Sequence, residues 1–144
     1  MPNAPLAGPD TADNNEWLAP FAKQFKNDVA FLTHHYSAEG SPTDPSTTIE
    51  RRLRLSPKLQ AELAAMQQAA KESGLPIRLA ETNSCDLGGK PRVGDTFASA
   101  PGSADLMVQL TSEGGAGINF HGGGYGWYTA IAGTPEAGFL ARPN

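Results

Sequence analysis

Glu81 closes the apolar run Ile77-Arg78-Leu79-Ala80 and is followed at once by a polar, glycine-bearing segment from Thr82 to Gly89. A carboxylate at such a place can attack an electrophilic carbon or move a proton. If Ile77 to Ala80 is a parallel strand of an α/β barrel, Glu81 stands at the C-terminal end, where barrels assemble active sites from loops. The alternative is a surface glutamate that opens a loop, because a carboxylate at a strand end is a candidate and no more.

Other residues with chemical potential also follow apolar runs. His34-His35-Tyr36 ends the run that begins at Val29, but neighbours on a strand point to opposite faces, so only one histidine can face a given pocket. With three histidines and one cysteine in the whole chain, no three-ligand set has the spacing of a catalytic zinc site. A hydrogen-bonding wall for a polar substrate is the functional reading; one buried and one exposed histidine is the other. Gly88-Gly89 and the glycines from 122 to 126 lack the spacing of nucleotide-binding loops, yet their amides can converge on an anion such as a carboxylate. Tyr125, Trp127 and Tyr128 offer ring faces to a sugar, while Asn83, Asn119 and His121 can take its hydroxyls. Core packing is the alternative for each ring, and Glu39 and Asp86 read as solvated loop carboxylates.

The elements that must position these groups follow from periodicity. Leu6-Ala7 is a short opening segment, Gly8-Pro9-Asp10 to Asn15 reads as a loop, and Trp17, Phe21 and Phe25 recur at helical spacing. Val29 to Leu32 is a strand. Ser56-Pro57 pairs a capping residue with proline at the first helical position; Leu59, Leu63 and Met66 form one apolar face, and Gly74 stops the helix. Ile77 to Ala80 is the next strand, Asp95 caps a helix running to Leu110, and Ala116 to Phe120 is the last strand, leading to His121. Strands alternating with helices imply right-handed βαβ connections and a parallel sheet. The fold class is therefore α/β, and no second domain is visible within residues 1–144.

Composition narrows the chemistry further. The net charge of −4 with scattered Lys and Arg gives no basic stripe, so no nucleic-acid partner is expected. Cys85, the single cysteine, cannot form an internal disulfide and reads as a loop thiol. Residues 1–8 lack the basic and apolar parts of a leader, and no run approaches the roughly 20 apolar residues of a membrane-spanning helix. Localisation stays open, and no motif asks for a cofactor. At 144 residues the chain is too short for a complete α/β barrel, which needs about 250.

Taken in order, Gly8-Pro9-Asp10, Thr33-His34-His35-Tyr36, Ala80-Glu81-Thr82-Asn83-Ser84, Gly88-Gly89, Asp95-Thr96-Phe97-Ala98-Ser99-Ala100 and Tyr128-Thr129 resemble glycoside hydrolase family 79, the heparanase and β-glucuronidase family. The resemblance runs over almost the whole chain. It implies a retaining glycosidase on a (β/α)8 TIM barrel, of which this chain would hold roughly strands five to eight. Leu6-Ala7 would open strand five, Val29 to Leu32 strand six, Ile77 to Ala80 strand seven and Ala116 to Phe120 strand eight. Glu81 then matches the nucleophile. Gly88, Gly89 and Tyr128 match the receptors of a uronic-acid carboxylate, and His34, His35 and Tyr36 look like the wall of the same subsite. The implied partner is a β-linked uronic-acid-containing saccharide.

Two departures qualify the resemblance. A retaining enzyme needs a second carboxylate about 5 to 5.5 Å from the nucleophile to protonate the leaving oxygen. In the family it follows an asparagine on the fourth strand, which would precede Met1, so the chain alone is expected to be nearly inert without an N-terminal half barrel. Pro101-Gly102 also falls inside the helix expected after Asp95, which must start late, kink or break. A second reading is a non-catalytic carbohydrate-binding or assembly module, in which the half barrel self-associates to cover its strand edges. A third, an α/β enzyme of aldolase or phosphate-handling type, lacks a strand-borne lysine, since Lys90 falls in a loop.

Overall fold

Apolar runs punctuated by glycine and proline do fold as strands alternating with helices. The computed structural model describes residues 4–54, 56–124 and 126–144. In chain order these form β1 (Leu6–Ala12), a 3-10 turn (Asn15–Trp17), α1 (Leu18–Phe25), β2 (Val29–Glu39), α2 (Ile49–Arg52) and α3 (Pro57–Ser73). They continue with β3 (Ile77–Cys85), α4 (Ser99–Ser112), β4 (Gly115–Phe120), β5 (Ile131–Thr134) and β6 (Gly138–Ala141). The first four strands make one parallel sheet in the order β1-β2-β3-β4, and β5 and β6 pair antiparallel as a separate ribbon. The chain is thus α/β, a sheet of four parallel strands with helical connections.

The strands are longer than the apolar runs that announce them. β1 takes in Gly8-Pro9-Asp10, expected in a loop. β2 continues past Leu32 to Glu39, and β3 past Ala80 to Cys85, so Glu81 and Asn83 both lie within β3 and not in a loop behind it. Polar residues can extend a strand when neighbouring strands supply the ladder, which a single-sequence hydrophobic pattern does not reveal. α2 and the β5-β6 ribbon likewise carry no strong periodic signal.

Two compact units divide the chain: residues up to Tyr36 with 57–81 and 108–119, and residues 37–56 with 82–107 and 120–144. In the first, α3 lays Leu59, Leu63, Met66 and Ala69 into the core, an i, i+4, i+7 spacing that puts them on one face. α1 packs against it through Leu18 and Ala22. Gly74, at φ +77°, ends α3 in the left-handed conformation, with its N–H bonded to the Ala70 carbonyl at 2.8 Å. Leu32 of β2 and Ile77 and Leu79 of β3 complete this core.

In the second unit the helix-breaking pair finds its place. α4 begins at Ser99, so Pro101 stands in the first turn, where its missing N–H leaves no bond unmade. Asp95 does not cap this helix; its Oδ1 accepts from the Arg92 N–H at 2.5 Å and closes a preceding turn. Gly102 makes room for Arg52, whose guanidinium carbon would lie 2.7 Å from an added Cβ. Cys85 is the last residue of β3 and is buried, not a loop thiol, and burial pushes its pKa up.

The period of two on β2 sorts the His-His-Tyr sequence. His34 is 0% and Tyr36 3% exposed, both packed in the first unit, whereas the intervening His35 keeps solvent access. His34 meets Thr11 Oγ1 through Nδ1 at 3.2 Å, and the Tyr36 ring lies under Lys58 Nζ at 5.8 Å. His34 and Tyr36, expected as a ligand-facing wall, therefore have almost no surface to offer a ligand in this structure. Burial, reinforced by the charge of His35, lowers the pKa of His34 from 6.5.

Two expectations follow from this core. Met66→Ala removes a fully buried side chain and should destabilise by about 2–5 kcal/mol, read as a lower urea midpoint. Because the depressed pKa of His34 makes the folded state bind fewer protons than the unfolded one, its contribution is complete above pH 6.5 and is lost as pH falls below that value. Urea midpoints between pH 8 and 5 should fall less steeply in His34→Gln than in the parent; equal slopes would refute it.

Candidate active site

In the first unit, three neighbouring strands bring Asp10, His35 and Glu81 together. The β1-β2 register runs Pro9 to Thr33 and then Thr11 to His34, so Asp10 is the extra residue of a local register shift, held at φ +60°. Such irregularities re-aim one side chain without disturbing the rest of the strand. His35 Nε2 lies 3.3 Å from Asp10 Oδ1, and its Nδ1 lies 3.8 Å from Glu81 Oε2. The side chains are 51%, 27% and 45% exposed for Asp10, His35 and Glu81, so the cluster is open to solvent. Chemically it offers a carboxylate able to act as nucleophile or base, beside an imidazole that is itself tied to a second carboxylate.

Asp10 was not expected among these residues. Its signal was the Gly8-Pro9 pair breaking an otherwise apolar start, but nothing in a period-two pattern marks which residue a register shift turns outward. Asn119, expected to meet a sugar hydroxyl, is engaged across β3 and β4: its Oδ1 accepts from Arg78 Nε at 2.9 Å and Nη2 at 2.5 Å.

In the second unit a cavity of about 500 Å³ is lined by Asn83, Ser99, Phe120, His121, Tyr128 and Ile131, among others. Asn83 spends both ends of its amide on backbone, donating to the His121 carbonyl at 2.5 Å and accepting from the Ser84 N–H at 2.8 Å. That fixes β3 to the segment after β4. Tyr128 Oη and His121 Nδ1 are 3.3 Å apart, with ring centroids at 5.8 Å.

The glycines are shaped around the tyrosine. Gly89 sits at φ +84°, and a Cβ there would come within 3.0 Å of both the Tyr128 ring and its backbone nitrogen. Its own N–H is taken by the Asp86 carbonyl at 3.0 Å, while the Gly88 carbonyl accepts from the Trp127 N–H at 2.5 Å. Of the two amides expected to receive a carboxylate, that of Gly89 is thus already bonded within its turn. Trp127 is half-exposed, with the Arg142 guanidinium 5.4 Å from its ring centroid. Tyr125 lies outside the described residues.

Two further groups differ from their sequence reading. Glu39, read as solvated, is 3% exposed, with Arg51 Nε 3.0 Å from its Oε2; burial raises its pKa, and Arg51 and Arg52 oppose that. Lys90 donates to the Asp44 and Thr47 carbonyls at 3.0 and 2.9 Å and so serves as a loop tie. Among the described residues no group of three His, Cys, Asp or Glu side chains is disposed to hold a metal ion. Nor is any described helix long and apolar enough to cross a membrane.

No family model matches the sequence. No curated protein matches it either. Solved structures do match in fold. A monomeric β-xylosidase from Caulobacter crescentus CB15 aligns over 99% of this chain with a TM-score of 0.66 and 17% identity. A GH51 arabinofuranosidase from Xanthomonas axonopodis pv. citri covers 95% at 0.64 and 16%. A 4-O-α-L-rhamnosyl-β-D-glucuronidase from Fusarium oxysporum 12S, solved with Rha-GlcA, covers 80% at 0.62 and 20%. The chain spans only 32%, 32% and 26% of those proteins, respectively. At these identities the likeness carries the fold: the chain shares the α/β architecture of part of these proteins.

Proposed function

We propose that residues 1–144 belong to the catalytic domain of a retaining β-glycoside hydrolase of uronic-acid type, with Glu81 as its nucleophile. The observation that carries this reading is the half-exposed Glu81 carboxylate on β3 of a parallel sheet, 3.8 Å from His35, in a fold shared with glycoside hydrolases. One Glu81 oxygen attacks the anomeric carbon as the aglycone oxygen departs with the bonding pair and takes a proton from a second carboxylic acid. Water then attacks the glycosyl ester, gives its proton to that second group, and frees Glu81. The acid/base carboxylate is assigned to a barrel strand outside residues 1–144, which span 26% to 32% of the matching proteins.

The uronic-acid assignment rests on the resemblance of Gly88-Gly89 and Tyr128 to a carboxylate-receiving set. It draws support from the glucuronidase among the matching structures. In the second unit, the cavity beside Asn83, His121 and Tyr128 combines apolar walls with few polar groups, the character of a saccharide pocket. His35 remains the member of the His-His-Tyr sequence with surface to offer. His34 and Tyr36 are buried, and Asn119 is exposed with its Oδ1 accepting from Arg78.

Hydrolysis of an aryl β-glucuronide tests the proposal. The chain alone should turn it over at a trace rate, and adding an N-terminal half barrel from a family member should restore turnover. Glu81→Gln should cut the restored rate by roughly a thousandfold or more, as loss of a nucleophile does. Vigorous hydrolysis by the chain alone, lost in Glu81→Gln, would overturn the expected inertness, and restored turnover indifferent to Glu81→Gln would refute the nucleophile. Tight uronide binding without cleavage under any condition would favour a carbohydrate-binding module.

A further inference from the structure

We propose that His35 is a positioning residue that holds the Glu81 carboxylate in place, and that Asp10 orients the His35 ring for that task. The inference rests on the reading of Glu81 as a nucleophile and extends it to two side chains of the same unit.

Both ring nitrogens of His35 face carboxylates, Nε2 toward Asp10 at 3.3 Å and Nδ1 toward Glu81 at 3.8 Å. An imidazole has two nitrogens at fixed angles, so a partner on one sets the direction of the other. With Asp10 on Nε2, the ring cannot flip without breaking that contact, and Nδ1 stays aimed at Glu81. The 3.8 Å gap is longer than a hydrogen bond, as such contacts often are before substrate tightens them.

An exposed ion pair is usually of little consequence. The backbone of Asp10 argues for more here. Asp10 occupies a left-handed conformation, uncommon for a residue with a side chain, at the point where the β1-β2 register shifts. Aspartate tolerates that region better than most side chains, so the register shift can be held there. Without the shift, the alternation of β1 would turn position 10 elsewhere. The β1 irregularity therefore delivers a carboxylate to the outer nitrogen of the one β2 histidine that is not buried.

The test uses the chain as it is, with a 2-deoxy-2-fluoro-β-glucuronide carrying 2,4-dinitrophenolate. Glu81 displaces the phenolate, which leaves with the bonding pair and needs no proton, so an acid partner is not required. His35→Gln and Asp10→Asn should each slow labelling by about tenfold to a hundredfold, the scale of a misplaced reacting group. The double variant should be no slower than His35→Gln, because Asp10 acts through the ring. Additive losses, or unchanged rates in all three, would overturn the proposal.

A second readout does not depend on labelling. In ¹⁵N spectra of the histidine side chains, Asp10→Asn should move the His35 Nε2 resonance and Glu81→Gln the Nδ1 resonance, and His34→Gln should remove the resonances of His34 only. If neither His35 resonance moves, the bridge does not exist. Coupled resonances with no label on the parent chain, even when an N-terminal half barrel is supplied, would support the bridge while overturning Glu81 as the nucleophile, which separates the two failures.

Discussion

The alternation of side chains along β2 is the constraint on which the first unit depends. Because successive residues face opposite ways, His34 and Tyr36 must share a fate that His35 does not. The first pair is committed to packing, His34 through Thr11 and Tyr36 beneath Lys58. Their commitment fixes the phase of the strand, and the phase leaves His35 turned toward Asp10 and Glu81. A slip of one residue would bury His35 and expose its neighbours, so the core holds the chemical cluster in register. The buried His34, with its lowered pKa, ties that register to the neutral imidazole.

The second unit is organised by close approach. Gly89 allows Tyr128 to lie against a turn that no other residue could make at that distance, and Asn83 joins β3 to the His121 carbonyl. Arg52 occupies the space that Gly102 leaves open at the start of α4. Burial of Glu39 beside Arg51 adds a carboxyl whose raised pKa comes from desolvation, opposed by its cationic neighbours. Glycine positions in this unit therefore record where side chains need room, beyond any role in ligand contact.

Much of this was legible in the sequence, for identifiable reasons. α3 carried an N-terminal proline, one apolar face and a terminal glycine, signals that agree with one another, and it folds as they say. Three of the four parallel strands were each marked by an apolar run, while β1 showed only the Leu6-Ala7 stub. Their polar extensions were not, because Thr33 to Glu39 and Glu81 to Cys85 are drawn into the sheet by neighbouring strands, not by their own pattern. Asp10 escaped for a related reason: a register shift is a property of a strand pair. Glu39 and Cys85 read as surface groups because burial at strand ends depends on tertiary neighbours. Glu81 stood out from its position alone, and its partner Asp10 needed the structure.

The site of covalent attachment shows whether Glu81 is the nucleophile. After incubation with the 2-fluoro uronide, digestion and peptide sequencing by mass spectrometry should find the glycosyl group as an ester on Glu81, with none on Asp10 or Glu39. An ester on another carboxylate, with Glu81 unmodified, would rule Glu81 out as the nucleophile.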